Sequence, residues 1–257
     1  MGVIIRYRDF LNTYKTRSHR IRHLEEYKKL FPIKSSPLLA GIVGDLICDG
    51  HLQGDPKWRL DFTSKNQLEL NYFNQRINKL FGVQGKIRDC KTNKFGKTFN
   101  LGVNCSPIAR IFLLLGVPTG QKVLKKFLIP NWIKNDKECF REFCRRAFTC
   151  EGSIMHESRR KTPQIRLDLW KKEGIKNNII FELGRYLNRY FNIKSTIKVQ
   201  KSFNERKDGI ITKPTRIYVL GESVLRFHEE IRFDGEKQKK LSNILGIPGK
   251  VPCSTGI

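Results

Sequence analysis

A chain of 257 residues with 39% hydrophobic content can bury one large core or two smaller ones. Its 50 Lys and Arg against 24 Asp and Glu leave a net charge of +26, an excess that folding does not require and that implies a polyanionic partner. No run of about 18 apolar residues offers a spanning helix, and the N-terminus lacks a secretory cleavage pattern. An intracellular protein is expected, with cytoplasm and organelle matrix both open.

Residues 1–36 read as a basic, partly helical arm ending before Pro37. "PLLAGIVGDLIC" follows as an apolar helix with Pro37 in its first turn, and it stops abruptly at Asp49-Gly50. "WRLDFTSK" alternates as a strand, and "NQLELNYFNQRINKLFG" is an amphipathic helix between Asn66 as N-cap and Gly82 as stop. "GKIRDCK" and "GKTFNLGVN" are strands joined by a turn containing Asn93 and Gly96, and "SPIARIFLLLG" is a helix opened by Ser106-Pro107. The order is taken as αββαββα, one strand more than these segments name.

After a connector, 121–136, the order begins again. "KECFREFCRRAFTC" is a helix ending in Glu151-Gly152, "QIRLDLWKK" a strand and "NNIIFELGRYLNRYFN" a helix. "STIKVQKSF" and "TRIYVLG" are strands around an Asp208-Gly209 turn, and "ESVLRFHEEI" is a helix. The mixed-charge stretch after Phe233 reads as a helix covering the second sheet. "RLDFTSK" at 59–65 recurs as "RLDLWKK" at 166–172, and "NKLFGVQGKI" at 78–87 as "NRYFNIKSTI" at 188–197. With Asp49 and Glu151 these are three landmarks in one order, the signature of an internal duplication.

Each half therefore opens with an apolar helix closed by an acid and a glycine. If a pseudo-twofold axis relates the halves, Asp49 and Glu151 converge, and two close carboxylates call for a cation. Oxygen donors of this kind suit Mg²⁺, which activates water and stabilises a leaving oxygen in phosphodiester cleavage. No two of the seven cysteines form a C-x-x-C pair, so they read as reduced, buried thiols and not as a zinc site.

"IVGDLICDG" at 42–50 and "CRRAFTCEG" at 144–152 resemble the two nine-residue motifs of the LAGLIDADG homing endonucleases. The connector "FLIPNWIKND" is similar to the segment between the family's repeats, and the resemblance runs over roughly 37–250. It implies an α+β protein with a duplicated αββαββα fold: two pseudo-twofold-related halves whose antiparallel sheets form a DNA-binding saddle. The divisions are an arm 1–36, a first repeat 37–120, the connector 121–136, a second repeat 137–250 with a C-terminal helix, and a tail 251–257. The implied activity is site-specific cutting of both strands of a long asymmetric DNA site by a monomer using Mg²⁺ or Mn²⁺. Asp49 and Glu151 would be catalytic and hold the metal, assisted by the backbone carbonyls of Cys48 and Cys150.

Two departures from the family pattern stand out. The position matching Gly44 in the second motif is Arg146, a residue that a tight helix seam is not expected to accept; a shifted register through Ala147 and Cys150, or splayed helices, would follow. The aspartate two places before each motif acid is replaced by Ile47 and Thr149. Asp45 is expected as a surface or interface charge.

The helix-facing side of the sheets is expected to take Leu60, Phe62, Ile87, Phe99, Leu101 and Val103, then Leu167, Leu169, Ile197, Val199, Ile217 and Val219. The opposite, DNA-reading side takes Arg59, Asp61, Lys86, Arg88, Asn100 and Asn104, with Arg166, Asp168, Lys198, Gln200, Arg216 and Tyr218 in the second half. Lys65 and Lys172, at matching strand ends, are the expected catalytic lysines, and Lys125 and Lys126 the expected phosphate contacts. Trp58, Trp132 and Trp170 read as packing residues, and His51 and His156 lie at unmatched offsets. The rival functions are a group I intron maturase, which would bring intron RNA in as partner, and a non-cleaving DNA-binding regulator. The Met1 start and the absence of splicing-junction chemistry are read as those of a free-standing protein.

Overall fold

The computed structural model describes residues 2–14, 24–90, 97–156 and 162–247. The turn expected around Asn93 and Gly96 and the tail 251–257 lie outside them. The chain divides into two compact units, Met1–Cys150 and Glu151–Ile257.

In the first unit, strand β1 (Val3–Ile5) is followed by helix α1 (Tyr7–Leu11), and β2 (Ile33–Lys34) pairs antiparallel with β1. Helix α2 (Pro37–Ile47) starts at Ser36, whose hydroxyl accepts from the Leu39 amide, with Pro37 where no donor is needed. It leads into β3 (Gly50–Gln53), β4 (Arg59–Ser64), α3 (Gln67–Phe81), β5 (Lys86–Asp89), β6 (Phe99–Val103) and α4 (Ser106–Leu114). The four strands form one antiparallel sheet in the order β3-β4-β6-β5. Alternation sends Leu60, Phe62, Leu101 and Val103 to the side covered by α2, α3 and α4, where all four are buried. Phe62 stacks on Phe73 of α3 at 4.8 Å between ring centroids.

The unit is completed by α5 (Asn131–Lys134) and by α6 (Lys137–Glu151), which runs one residue past its boundary. Helix α6 lies against α2 across a glycine seam. A Cβ on Gly44 would sit 3.0 Å from the Phe143 carbonyl oxygen and 3.2 Å from Arg146 Cβ. One on Gly41 would meet Glu142 Cγ at 3.0 Å. The arm of 1–36 is, in its described part, a folded cap. Phe10 is fully buried between Tyr7, Tyr14 and Phe31, and the Arg110 guanidinium of α4 is held between the rings of Tyr14 and Trp58, 4.1 and 4.0 Å from their centroids.

The second unit contains β7 (Gly152–Met155), β8 (Gln164–Lys172), α7 (Asn178–Phe191), β9 (Ser195–Val199), β10 (Asn204–Glu205), β11 (Ile211–Val219), α8 (Glu222–Glu230) and α9 (Gly235–Leu245). Its sheet is also antiparallel, with β7, β8 and β11 in line and both β9 and β10 along the other side of β11. Short β10 makes five strands where four were expected. Ile165, Leu167, Ile217 and Val219 are buried, with Leu183, Leu187 and Phe227 from the helices. Val199, expected to face those helices, is 64% exposed because it closes the outer end of an edge strand. Trp170 is 39% exposed, on the same side of β8 as Arg166 and Asp168, and so is not a core residue. Helix α9 packs on α8 and β7.

Among the described residues no helix is long and apolar enough to cross a membrane.

Candidate functional site

The seam between α2 and α6 accepts the arginine it was expected to exclude. Arg146 is 2% exposed, and its Nε donates to Asp45 Oδ1 at 2.6 Å. Asp45 is fully buried, so of the two places expected for it, surface or interface, it takes the interface. Its other oxygen accepts from Arg76 Nη2 of α3, and the Arg76 guanidinium lies 4.6 Å from the Tyr72 ring centroid. Gly44 is what makes this possible: the missing side chain leaves room for Arg146 Cβ, so the long stem runs along the seam to its partner. A lone buried guanidinium would be prohibitive, but one carboxylate bonded to two of them is sustainable.

The acid–glycine step at the foot of α2 has an equally local cause. A Cβ on Gly50 would fall 2.7 Å from Leu46 Cα, so only glycine lets β3 start directly beneath the last helical turn. The carbonyls freed at that helix end converge on one ammonium. Lys122 Nζ donates to the oxygens of Leu46 (3.1 Å), Ile47 (2.8 Å) and Gly50 (2.7 Å), and to that of Cys48. In the second unit Lys237 Nζ of α9 donates to the Gly152 oxygen at 2.8 Å. Gly50 and Gly152 hold the same place after their motif acids, and each lysine follows the last helix of its own αββαββα unit. Sequence reasoning passed over both in favour of Lys65 and Lys172, which are exposed at the strand ends.

Asp49 is exposed at the foot of α2, and Glu151 is half-buried as the last residue of α6. The Cys48 side chain is buried, and the half-buried Cys150 has its thiol 3.6 Å from Asp45 Oδ1. Burial first, then the charges of Asp45 and Asp49, push the Cys150 thiol well above its ordinary range. It stays protonated, so only its carbonyl is suited to a cation. The carbonyl oxygens at this helix end are hard donors of the kind Mg²⁺ takes, and in the structure the Lys122 ammonium occupies them. Among the described residues no cluster of three or more His, Cys, Asp or Glu side chains is spaced to hold a metal by side chains alone.

The first-unit residues expected to read DNA come together. Arg59, Asp61, Lys86, Arg88, Asn100 and Asn104 line one hollow on the sheet face away from the helices, with Gly102 among them. Arg59 Nε donates to Asp61 Oδ2 at 2.9 Å, and Asn100 Nδ2 to Thr63 Oγ1 at 3.0 Å. His51 stands opposite Asp61 on β3. Burial, and after it the Lys122 ammonium, hold its imidazole below the ordinary value. In the second unit Arg216 Nε and Nη2 grip both oxygens of Asp168, at 2.5 and 2.6 Å, while Arg216 Nη1 donates to the Tyr218 hydroxyl at 3.2 Å. Arg166 Nε donates to Ser153 Oγ at 2.8 Å, and Gln200 Nε2 to the Lys198 carbonyl at 3.3 Å. Lys125 and Lys126 are exposed in the connector, Lys125 Nζ donating to Thr119 Oγ1 at 3.3 Å.

No family model matches the chain. In sequence it is similar to the tRNA-splicing ligase RtcB of Pyrococcus abyssi, 27% identical over 220 residues that make up 80% of this chain and 23% of that protein. The RtcB of Methanopyrus kandleri is 26% identical over 244 residues, 87% of this chain and 24% of that one. The replication factor C small subunit of Methanocaldococcus jannaschii is 25% identical over 213 residues, 78% of this chain and 11% of that one. The chain thus spans less than a quarter of the length of each of these relatives. Among solved structures, the homing endonuclease I-WcaI bound to its DNA recognition sequence superposes with a TM-score of 0.55 at 17% identity, over 93% of this chain and 98% of that one. Full-length DUF199/WhiA from Thermatoga maritima gives 0.52 at 16%, over 86% of this chain and 66% of that one. The fold is therefore the mixed α/β arrangement with antiparallel sheets found in a homing endonuclease and in WhiA.

Proposed function

We propose that this chain is a site-specific double-strand DNA endonuclease that uses a divalent metal, Mg²⁺ or Mn²⁺. One observation carries the reading. Each of the two motif helices leads into an acid and a glycine, and a lysine donates to that glycine's carbonyl, Lys122 to Gly50 and Lys237 to Gly152. A carboxylate and a fixed ammonium at one helix end are what phosphodiester hydrolysis requires: a place for a cation, and positive charge where charge develops on the phosphate. The fold, shared with a DNA-bound homing endonuclease, supports the reading but does not by itself specify chemistry.

Asp49 and Glu151 would hold the metal through their carboxylates, with the carbonyls of Cys48 and Cys150. Bound there, it would activate water and stabilise the leaving oxygen. Lys122 and Lys237 keep the carbonyl rims positive, while Lys65 and Lys172 approach the phosphates. The two polar sheet faces enter the major groove, with Lys125 and Lys126 on the backbone.

A non-cleaving binder of DNA or of intron RNA is the second reading. It draws on one contact: the Cys48 carbonyl assigned to the metal already accepts from Lys122. A randomised duplex library, incubated with Mg²⁺ and separately with Ca²⁺, decides between them. Specific cutting in Mg²⁺ with binding alone in Ca²⁺ is expected. Asp49→Asn and Glu151→Gln should each lower cutting by about a hundredfold or more while the same sequences remain bound. Cutting at the native rate by either variant sinks the metal assignment. Binding without cutting in both metals moves the reading to the second one, and structured intron RNA is then the substrate to try.

A further inference from the structure

One oxygen on the first sheet face has no partner. Asp61 is 8% exposed, and Arg59 satisfies its Oδ2, but Oδ1 is buried and accepts no hydrogen bond. A buried carboxylate oxygen left in this state is strongly unfavourable, so a donor has to reach it. The strand opposite explains the opening. Gly102 is the residue directly across from Asp61, and a Cβ there would lie 3.6 Å from Oδ1. In the second unit the residue directly across from Asp168 is Arg216, whose guanidinium fills the corresponding space and occupies both carboxylate oxygens. One repeat closes its aspartate internally. The other leaves a hollow of about 30 Å³, room for a single water, above its own.

We infer that Asp61 is a base-reading residue that takes the exocyclic amine of a cytosine in the major groove, and that Gly102 is the position that keeps it available. The assignment rests on the DNA-binding reading above. Of the groups a base pair offers in the major groove, the N4 amine of cytosine and the N6 amine of adenine are the donors. Adenine places an acceptor, N7, beside its amine and so repels a carboxylate; cytosine does not. Arg59, already bonded to the far oxygen of Asp61, is placed to take O6 and N7 of the guanine paired with that cytosine. In the free protein a water can donate to Oδ1. In the complex the amine replaces it once the long side chains of Lys86 and Arg88, which line the hollow, have moved to the DNA.

The experiment is selection of bound sequences from a randomised duplex library in Ca²⁺, run with the full chain and with Asp61→Asn, Gly102→Ala and Gly102→Arg. The wild type should select a C·G pair at one position. Asp61→Asn should shift that position alone toward adenine, because an amide presents both a donor and an acceptor. Gly102→Arg should lower the cytosine preference there by roughly tenfold or more, and Gly102→Ala by less. Gly102→Ala adds only ordinary contacts, so it tests the idea even if the arginine variant fails to fold. Preferences unchanged at every position in both Asp61→Asn and Gly102→Ala would overturn the assignment while leaving DNA reading intact. A library from which the wild type enriches no sequence would overturn both.

Discussion

Replacing Asp45 with asparagine removes one charge and almost no volume from the seam between α2 and α6. In the native unit this carboxylate has no exposure, and the side chains of its partners Arg76 and Arg146 are 5% and 3% exposed. Solvent cannot screen the change. Arg76 already has Nε and Nη1 buried without hydrogen-bond partners, so Asp45 is its principal compensation. Breaking a buried ion pair from one side destabilises by about 3–5 kcal/mol. For a unit of this size that lowers Tm by roughly 10 °C. Urea unfolding followed by the fluorescence of Trp58 and Trp132, both in the first unit, measures the loss. The rate at which the fully buried Cys144 thiol becomes reactive reports opening of the same region independently. Asp45→Asn combined with Arg146→Met should recover part of the loss, because the second change removes a buried charge whose bond to Asp45 the first has weakened. A loss for Asp45→Asn below about 1 kcal/mol, the range of exposed pairs, would mean that solvent reaches the seam and that the buried-triad argument is wrong.

Three further outcomes follow from the same geometry. Lys122→Met should reduce cleavage by about tenfold or more, and by more than Lys65→Met does, since only Lys122 gathers the carbonyls at the motif-helix end; equal effects in single-turnover assays would remove the distinction. Burial, and after it Arg232, depress the His228 imidazole from 6.5. The unfolded chain therefore takes up a proton that the folded state resists, so its contribution is intact above about pH 6.5 and is lost as pH falls. His228→Gln should flatten the decline in second-unit stability between about pH 7 and pH 5, and urea midpoints across that window measure it. Burial raises the thiol of Cys139 to about 12 and holds that of Cys144 well above its ordinary range. Both should stay unmodified by a thiolate-selective reagent until urea unfolds the first unit, as peptide mapping after timed alkylation would detect.

Much of the fold could be read from local pattern. Pro37 and Ser36 fix where α2 begins, alternation in "RLDFTSK" separates the two faces of β4, and the recurrence of that string at 166–172 falls on the matching strand β8. What escaped depends on partners far apart in sequence. Asp45 reads as a surface or interface charge until Arg76 and Arg146 are brought to it, and Arg146 looks impossible until Gly44 is placed beside its Cβ. Lys122 resembles any other lysine of a basic connector, because its role is set by carbonyls that meet only when β3 turns beneath α2. The six residues of the first polar face were legible because strand periodicity alone puts them on one side. Nothing in that periodicity told Asp61 from Asp168. The difference lies across the sheet, in a glycine and an arginine on neighbouring strands.

The seam has a consequence for modularity. The sequence repeats from the start of each motif helix, yet the second of these helices, α6, is counted by its packing with the first unit, up to Cys150. A chain severed at the repeat boundary would take Arg146 away from Asp45 and uncover Gly41 and Gly44 together. Severed after the helix, the first fragment would keep its seam whole, and the second would begin without the helix that its own repeat supplies. The two motif helices therefore cannot be exchanged like cassettes: a segment moved into or out of this chain has to carry both as one piece.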